Sequence, residues 1–380
     1  MNRLAAVVPA AGLSSRMGAF KPLLPMGACS VLAAAVGCLR RAGVDDVFVV
    51  TGRRGEDVAR EARAAGARPV HNPDFALGMF SSVLRGFAAV EAAQQDGADY
   101  LGVLLLPGDV PLVGPDTVAR LGQGFLAALP AVLYPRFLGE RGHPPVIHTD
   151  LMPAIRTHNG VGGLRAVLAA AEDRAADLDV ADQGVVHDLD MPEDYDLARA
   201  LLDLEYPTEA ECRQLDVLYD VPEDVAVHCE AVAQVAGALC AAWNAARPDA
   251  PLDQGLAVAA ARIHDLAKGL RGHEAEGAAR LCEHGFPAAA RLVEGHSDTA
   301  WSAGDPVTER EVVFLADKLV RGAAAVPLAG RYAAKLDAYG ADPDARRAIQ
   351  GRLERARAVL RAMDEATGAS MERLAREALS

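Results

Sequence analysis

Leu4-Ala5-Ala6-Val7-Val8-Pro9-Ala10-Ala11-Gly12-Leu13-Ser14-Ser15-Arg16-Met17-Gly18-Ala19-Phe20-Lys21-Pro22-Leu23-Leu24-Pro25 stands almost at the start of a chain of 380 residues and decides how its first half reads. The apolar residues 4–8 predict a strand that empties into a turn of small residues. At Ala10, Ala11 and Gly12 the backbone can come close to a ligand, and its N–H groups can line a concavity for anions. Arg16 adds a planar fork and Lys21 a mobile point charge, a pair suited to a triphosphate. The spacing is neither G-x-x-x-x-G-K-[ST] nor G-x-G-x-x-G, so neither of those two phosphate-binding loops is present here.

Working outward, further candidate strands at 47–51, 100–106, 131–134, 146–148 and 185–189 alternate with candidate helices at 30–42, 56–65, 81–93 and 115–126. This alternation predicts an α/β domain over residues 1–204, with a mainly parallel sheet covered by helices on both faces. Ligands of such sheets sit at the carboxyl ends of the strands. Two carboxylates fall there: Asp109 in Leu106-Pro107-Gly108-Asp109-Val110-Pro111, and Asp190 in Asp188-Leu189-Asp190-Met191-Pro192-Glu193-Asp194. Nucleotidyl transfer needs Mg²⁺ on phosphate oxygens, typically held by one or two carboxylates, so Asp109 and Asp190 are its candidate ligands. Asp188 and Asp194 read as caps of the following helix.

Beyond about residue 205 the strand signals stop. Helices are expected at 223–246, 252–268, 273–284, 288–294, 308–324, 331–338 and 344–366, followed by a short last one. The second domain, 205–380, is therefore expected to be all-α. The polar stretch from Tyr206 to Pro222 marks the boundary, and Thr308-Glu309-Arg310-Glu311 has the form of a capping box. His228, the pair His264-Asp265 and Asp317 each lie in an amphipathic helical segment. Neutral imidazoles with carboxylates suit Mn²⁺, Fe²⁺, Zn²⁺ or Mg²⁺ and imply a metal that activates water.

The bulk numbers set limits. Hydrophobic residues make up 51 %, ample for sizeable cores, while a net charge of −14 and a pI near 5.2 disfavour a nucleic-acid partner. The six cysteines form no C-x-x-C pair, which favours neither a zinc ribbon nor a disulfide framework. The opening apolar run is short for a signal peptide, and no stretch reaches the ~20 uncharged apolar residues of a membrane span. The expectation is a cytoplasmic protein with no membrane partner.

The phosphate loop, the Leu-Pro-Gly-Asp-Val-Pro segment and the Asp-Leu-Asp-Met-Pro-Glu-Asp segment together resemble the nucleotidyltransferases of molybdenum cofactor biosynthesis, over roughly residues 3–203. The resemblance implies a Rossmann-like sheet and attack of an acceptor phosphate on the α-phosphate of an NTP, with release of pyrophosphate. It implies that Ala10, Ala11, Gly12, Arg16, Lys21 and Ser82 bind the nucleotide, Ser81 being the alternative to Ser82, and that Asp109 and Asp190 hold Mg²⁺. Arg16, Lys21, Asp109 and Asp190 would then carry catalysis. Arg141-Gly142-His143-Pro144 resembles the family's Gly-His-Pro loop near the acceptor. Ala-Ala-Gly running on to Lys-Pro-Leu-Leu is closer to the cytidylyltransferase branch than to the guanylyltransferase branch, which implies CTP and a molybdopterin-type acceptor, with a molybdoenzyme receiving the product. Transfer to a sugar or alcohol phosphate, beside a regulatory second domain, is the alternative.

The order H…HD…D, with Arg262-Ile263-His264-Asp265-Leu266-Ala267-Lys268 at its centre, resembles the HD phosphohydrolase superfamily over roughly residues 215–330. The resemblance implies His228, His264, Asp265 and Asp317 as metal ligands, with Asp265 catalytic. It adds His273 and His296 as ligands for a centre of two metals, one or two both being open, and it offers Lys268 to substrate phosphate.

Overall fold

The structure is a computed structural model that describes residues 3–12, 19–202, 204–339 and 341–380. The chain divides into two compact units, Met1–Asp203 and Leu204–Ser380.

The first unit contains β1 (Leu4–Pro9), the small hairpin β2 (Pro25–Met26) and β3 (Cys29–Ser30), then β4 (Asp46–Thr51), β5 (Arg68–His71), β6 (Gly102–Leu105), β7 (Val132–Phe137), β8 (Glu140–Arg141), β9 (Val146–His148) and β10 (Ala175–Asp179). Eight of these strands form one sheet in the order β10-β7-β9-β6-β1-β4-β5, with β8 on β7. β1 pairs parallel with β4 and β6, β4 with β5, and β7 with β10, whereas β9 runs antiparallel to both β6 and β7. The sheet is thus mixed: the chain returns from β7 through the short β8 rather than by a helical crossover, and only an antiparallel strand can follow so short a connection. The centre is buried on both faces; Ala5, Val7, Val47, Val49 and Val103 are fully buried.

Helices α1 (Val31–Arg41), α2 (Gly55–Ala64), α3 (Met79–Gln95) and α4 (Pro115–Ala128) lie near their expected places. Ser30 caps α1 by accepting from the Ala33 N–H, and its hydroxyl donates to Glu61 on α2 at 2.6 Å. Two more helices, α5 (Met152–Thr157) and α6 (Gly163–Ala169), were not expected, while α7 (Pro192–Leu201) is the helix that follows Asp188 and Asp190. The strand expected at 185–189 is absent: a 3-10 turn, Gln183–Val186, runs into an irregular segment. Its alternating pattern is genuine, since Val185 and Leu189 are fully buried. Asp182, however, accepts from the N–H groups of Gly184 and Gly114 and turns the chain away from any ladder. The edge strand β5 was missed because Pro69 is a poor strand former, and β10 because Ala-Ala-Asp-Leu-Asp carries little β-propensity.

The second unit is helical: α8 (Glu209–Leu218), α9 (Glu223–Ala246), α10 (Gln254–Ile263), α11 (His273–Glu283), α12 (Pro287–Val293), α13 (Glu309–Leu319), α14 (Leu328–Tyr339), α15 (Pro343–Thr367) and α16 (Met371–Ala378). α8 occupies the stretch read as a linker, started by a capping box of Thr208 and Glu211. The capping box at Thr308 and Glu311 starts α13 as expected. α13 ends early because residues 320–325 form a small hairpin, β11 (Val320–Arg321) with β12 (Ala324–Ala325). α9 is long and apolar enough to cross a membrane, with a mean hydropathy of 1.5. Here it is a core helix, its Val232, Val235, Leu239 and Trp243 packed in one cluster with Phe314 and Leu315 of α13 and Val359 of α15.

Candidate functional site

In the first unit, the chain leaves β1 and is pinned on both sides. The Ala10 N–H donates to the Val50 carbonyl at 2.9 Å, and the Gly108 N–H donates to the Pro9 carbonyl at 3.0 Å. A Cβ at Gly108 would stand 3.1 Å from Ala10 Cβ and 3.3 Å from the Pro9 carbonyl oxygen, so glycine lets the Leu-Pro-Gly-Asp turn lie flush on the loop and present Asp109. Lys21, on a single 3-10 turn, is buried, and its ammonium lies 3.2 Å from Asp109 Oδ2 and 2.9 Å from Asp190 Oδ1. Burial pulls the Lys21 ammonium down, but the bonds and charge of Asp190 and Asp109 outweigh it and hold the group above its ordinary pKa.

These side chains line a cleft of about 380 Å³ together with Ala10, Ala11, Gly12, Phe75, Met79 and Ser82. The structure therefore gathers Ala10, Ala11, Gly12, Lys21, Ser82, Asp109 and Asp190; Arg16 lies outside the described residues. Asp190 arrives there from the irregular segment before α7, not from a strand end. Asp194 is a cap, accepting from the N–H groups of Asp190 and Met191. Asp188 is not a cap: burial and the nearby charges of Asp109 and Asp190 push its carboxyl up, against the pull of His143 and Lys21. Burial likewise pushes the His143 imidazole down. Arg141 is engaged elsewhere, bonded to Asp177 and Glu172.

Sequence reasoning missed Asn72. It is buried, and its amide donates to the hydroxyls of Ser81 at 3.0 Å and Ser82 at 3.1 Å. Its position just after β5 was the available signal, hidden because β5 itself went unseen. Chemically, the cleft offers backbone N–H groups and a lysine for phosphates, and two hard oxygen donors around one cationic position, a set that fits Mg²⁺.

In the second unit, His228 comes from α9, His264 and Asp265 from the turn after α10, His273 from the first turn of α11, His296 from the turns after α12, and Asp317 from α13. His228 Nε2 lies 3.3 Å from Asp317 Oδ1, and His264 Nε2 lies 3.4 Å from Asp265 Oδ2 and 3.9 Å from Asp317 Oδ1. The Nε2 atoms of His273 and His296 lie 3.7 and 3.6 Å from Asp265 Oδ1. All six expected residues thus form one cluster, with Asp265 between two histidine groups; Cys229 Sγ, which sequence reasoning passed over, lies within 4.8 Å of His264 and Asp265 donors.

The cluster is built to accept a cation. His228, His264 and His296 each bond through Nδ1 to a main-chain carbonyl (Gly322, Ala261 and Val293, at 3.1, 2.7 and 2.9 Å), which leaves Nε2 turned inward. His264 Nε2 is buried and has no hydrogen-bond partner, the state expected of a donor awaiting a metal. Burial pushes the Asp265 carboxyl up, but His264, His296 and Lys268 hold it well below the carboxylate range. Asp317 is likewise held down against burial by Lys318, His228, His264 and Arg331. Lys268 bonds to Asp265 itself. The mixed nitrogen and oxygen donor set fits a first-row divalent metal.

Residues 6–176 match the MobA-like NTP transferase domain, and residues 225–322 match the HD domain. The molybdenum cofactor cytidylyltransferase of Escherichia coli (strain K12) is 31 % identical over 206 residues, which is 52 % of this chain and 97 % of that protein. The nicotine blue oxidoreductase of Paenarthrobacter nicotinovorans is 31 % identical over 195 residues, 49 % of this chain and 92 % of that one. A bifunctional IPC transferase and DIPP synthase of Rubrobacter xylanophilus is 40 % identical over 85 residues, 21 % of this chain and 20 % of its own. The nucleotidyltransferase cleft and the histidine–aspartate cluster agree with these matches: the chain belongs to the MobA-like NTP transferase family and carries an HD domain behind its transferase domain.

Proposed function

We propose that residues 1–204 transfer a cytidylyl group from CTP to a phosphate of a molybdopterin-type acceptor, and that residues 205–380 hydrolyse a phosphoester at a centre of one or two divalent metals. The observation that carries the first half is Lys21 held between Asp109 and Asp190 in the cleft behind the phosphate loop. Asp109 and Asp190 would hold Mg²⁺, which supplies charge for the α-phosphate and the leaving pyrophosphate. Lys21 exchanges its carboxylate partners for phosphate oxygens as the nucleotide enters, while Ala10, Ala11 and Gly12 line the phosphates. Arg16 completes this set as a phosphate ligand. Asn72 fixes Ser82 at the cleft wall. Asp265 sits where it can be shared by two ions, and Lys268 stands ready to release it and meet substrate phosphate. The 31 % identity to a cofactor cytidylyltransferase supports CTP and the molybdopterin acceptor. A molybdoenzyme is the natural recipient of the product, and the free thiols, among them exposed Cys29 and Cys282, support a cytoplasmic setting.

The partial likeness to an IPC transferase keeps sugar- or alcohol-phosphate acceptors in the test. Pyrophosphate release is measured with Mg²⁺, each of CTP, GTP, ATP and UTP, and either molybdopterin cofactor or an alcohol phosphate, in an Asp265→Asn background so that the second unit consumes nothing. Release with CTP and the pterin alone is the expected result. Release with an alcohol phosphate instead sinks the acceptor assignment, and no release from folded protein sinks the transferase assignment.

A further inference from the structure

Beside the metal cluster of the second unit lies a cleft of about 510 Å³ whose lining includes His228 and Asp265 together with the cations Lys268, Arg321, Arg331 and Lys335. Two of these cations have duties already: Lys268 bonds to Asp265, and Arg331 lies 3.1 Å from Asp317. Among the described residues, neither Arg321 nor Lys335 has a carboxylate within ion-pair reach; Lys335 meets only the ring of Tyr332. Asp224 at the start of α9 is the other carboxylate on the cleft wall. Counting Asp317 and its partner Lys318 behind the wall, five cations face three carboxylates, in a chain whose net charge is −14. Each divalent ion in the cluster adds two more positive charges. A phosphomonoester dianion balances one such ion and leaves Arg321 and Lys335 unanswered.

We infer that Arg321 and Lys335 form a second anion subsite, and that the substrate of this centre carries two adjacent phosphates joined by a P–O–P linkage, one at the metal cluster and the other on these two cations. This rests on the phosphohydrolase reading of the second unit. In the reaction, water oxygen bonds to the phosphorus at the cluster, the bridging P–O bond breaks, and the leaving phosphate retains the bridging oxygen. The water's protons end on the products or in solvent, and no oxidant or reductant is needed. Nucleotidyl transfer to a phosphate releases two products that carry this linkage, inorganic pyrophosphate, in which it survives from the nucleotide, and the bridged product, in which it is newly formed, so a reaction of that class could supply the substrate.

The test uses the full chain carrying Asp109→Asn, which removes a carboxylate from the other unit's site, loaded with Mn²⁺ at a fixed free concentration. Binding of orthophosphate, inorganic pyrophosphate and methyl diphosphate is read by calorimetry, with Arg321→Ala/Lys335→Ala as the comparison. Both diphosphates should bind at least about tenfold more tightly than orthophosphate, the worth of one charge-assisted bond. The double variant should lose that margin while keeping its Mn²⁺ and orthophosphate affinity. Equal binding of all three probes in the parent, or a margin that survives in the double variant, overturns the inference. Phosphate release is followed in parallel. A margin without any release leaves the subsite standing and removes the hydrolase reading, and the diphosphate cleaved faster tells a free pyrophosphate substrate from an esterified one.

Discussion

Gly86 sits in the middle of α3 where the helix crosses β1, and replacing it with alanine sets two effects of opposite sign against each other. On helix propensity alone, alanine would stabilise by roughly 0.5–1 kcal/mol. The packing says otherwise: the new Cβ would stand 2.3 Å from Val7 Cγ1, 3.1 Å from Val7 Cγ2 and 3.2 Å from Val50 Cγ2. Ordinary carbon contacts lie near ~3.5–4 Å, so α3 must lift off the sheet by about 1 Å. Both Val7 methyl groups face the new atom and Val50 adds a third contact, so turning Val7 about its Cα–Cβ bond still leaves a methyl group against it. Overpacking of this kind costs about 1–3 kcal/mol, which leaves a net loss of roughly 1–2 kcal/mol. The same lift displaces Ser82 in the first turn of α3, which lines the nucleotide cleft, and a shift of about 1 Å at a reacting site can cost on the order of 100-fold in rate. Urea denaturation, following the transition that nucleotide protects, gives the first quantity; steady-state transfer gives the second. If Gly86→Ala raises stability and leaves nucleotide turnover unchanged, the account of how α3 is seated on the sheet is wrong.

Loading the second unit with Mn²⁺ or Zn²⁺ at 100 times its dissociation constant should stabilise that unit by about 2.7 kcal/mol. A chelator should reverse the gain, and His264→Ala should abolish it, as read by thermal melts. Asp109→Asn should suppress pyrophosphate release while sparing phosphoester hydrolysis, and Asp265→Asn should do the reverse; loss of both activities in either variant would contradict two separate centres. Burial pushes the Asp298 carboxyl up, but the Arg355 fork at 2.9 and 2.6 Å outweighs it and holds the group below its ordinary pKa. A depressed folded value means the pair's contribution is present above about pH 4 and is lost as pH falls through the folded value. Acid melts of the second unit should therefore be shallower in Arg355→Met, and an unchanged acid limb would remove the pair from the account.

The central strands and long helices were legible because burial imposes a period: β1, β4 and β6 are short apolar runs, and α9 and α15 keep a helical repeat over many turns. The candidate site residues were legible because their types suit the chemistry. What stayed hidden depended on partners far away in sequence. Residues 185–189 show a strand's alternation because Val185 and Leu189 are buried, Leu189 against Met26, Val31 and Ala198, yet only single bonds, such as the His143 N–H to the Val185 carbonyl, tie them to neighbours. Asp188 was read as a cap because its position before a helix allows one, and only the fold shows that Asp109 and His143 share its surroundings. The cations around the second cluster carry no motif; Lys268, Arg321 and Lys335 meet because the turns after α10, the β11–β12 hairpin and α14 converge on one cleft.

That hairpin also bears on where the chain can be lengthened. Its tip at Gly322, with φ near +58° and no atom within 4 Å of a built Cβ, has the look of a surface turn into which a tag or a fluorescent domain could be spliced. Yet the Gly322 carbonyl is the one that holds the His228 ring by its Nδ1, and Arg321 beside it faces the cleft. A splice there would set a candidate metal ligand swinging freely. The turn at Gly97 is equally open, with φ near +104°, and it joins α3 to β6 at the end away from the cleft. Gly97 is the position at which this chain should accept a passenger and keep both of its centres.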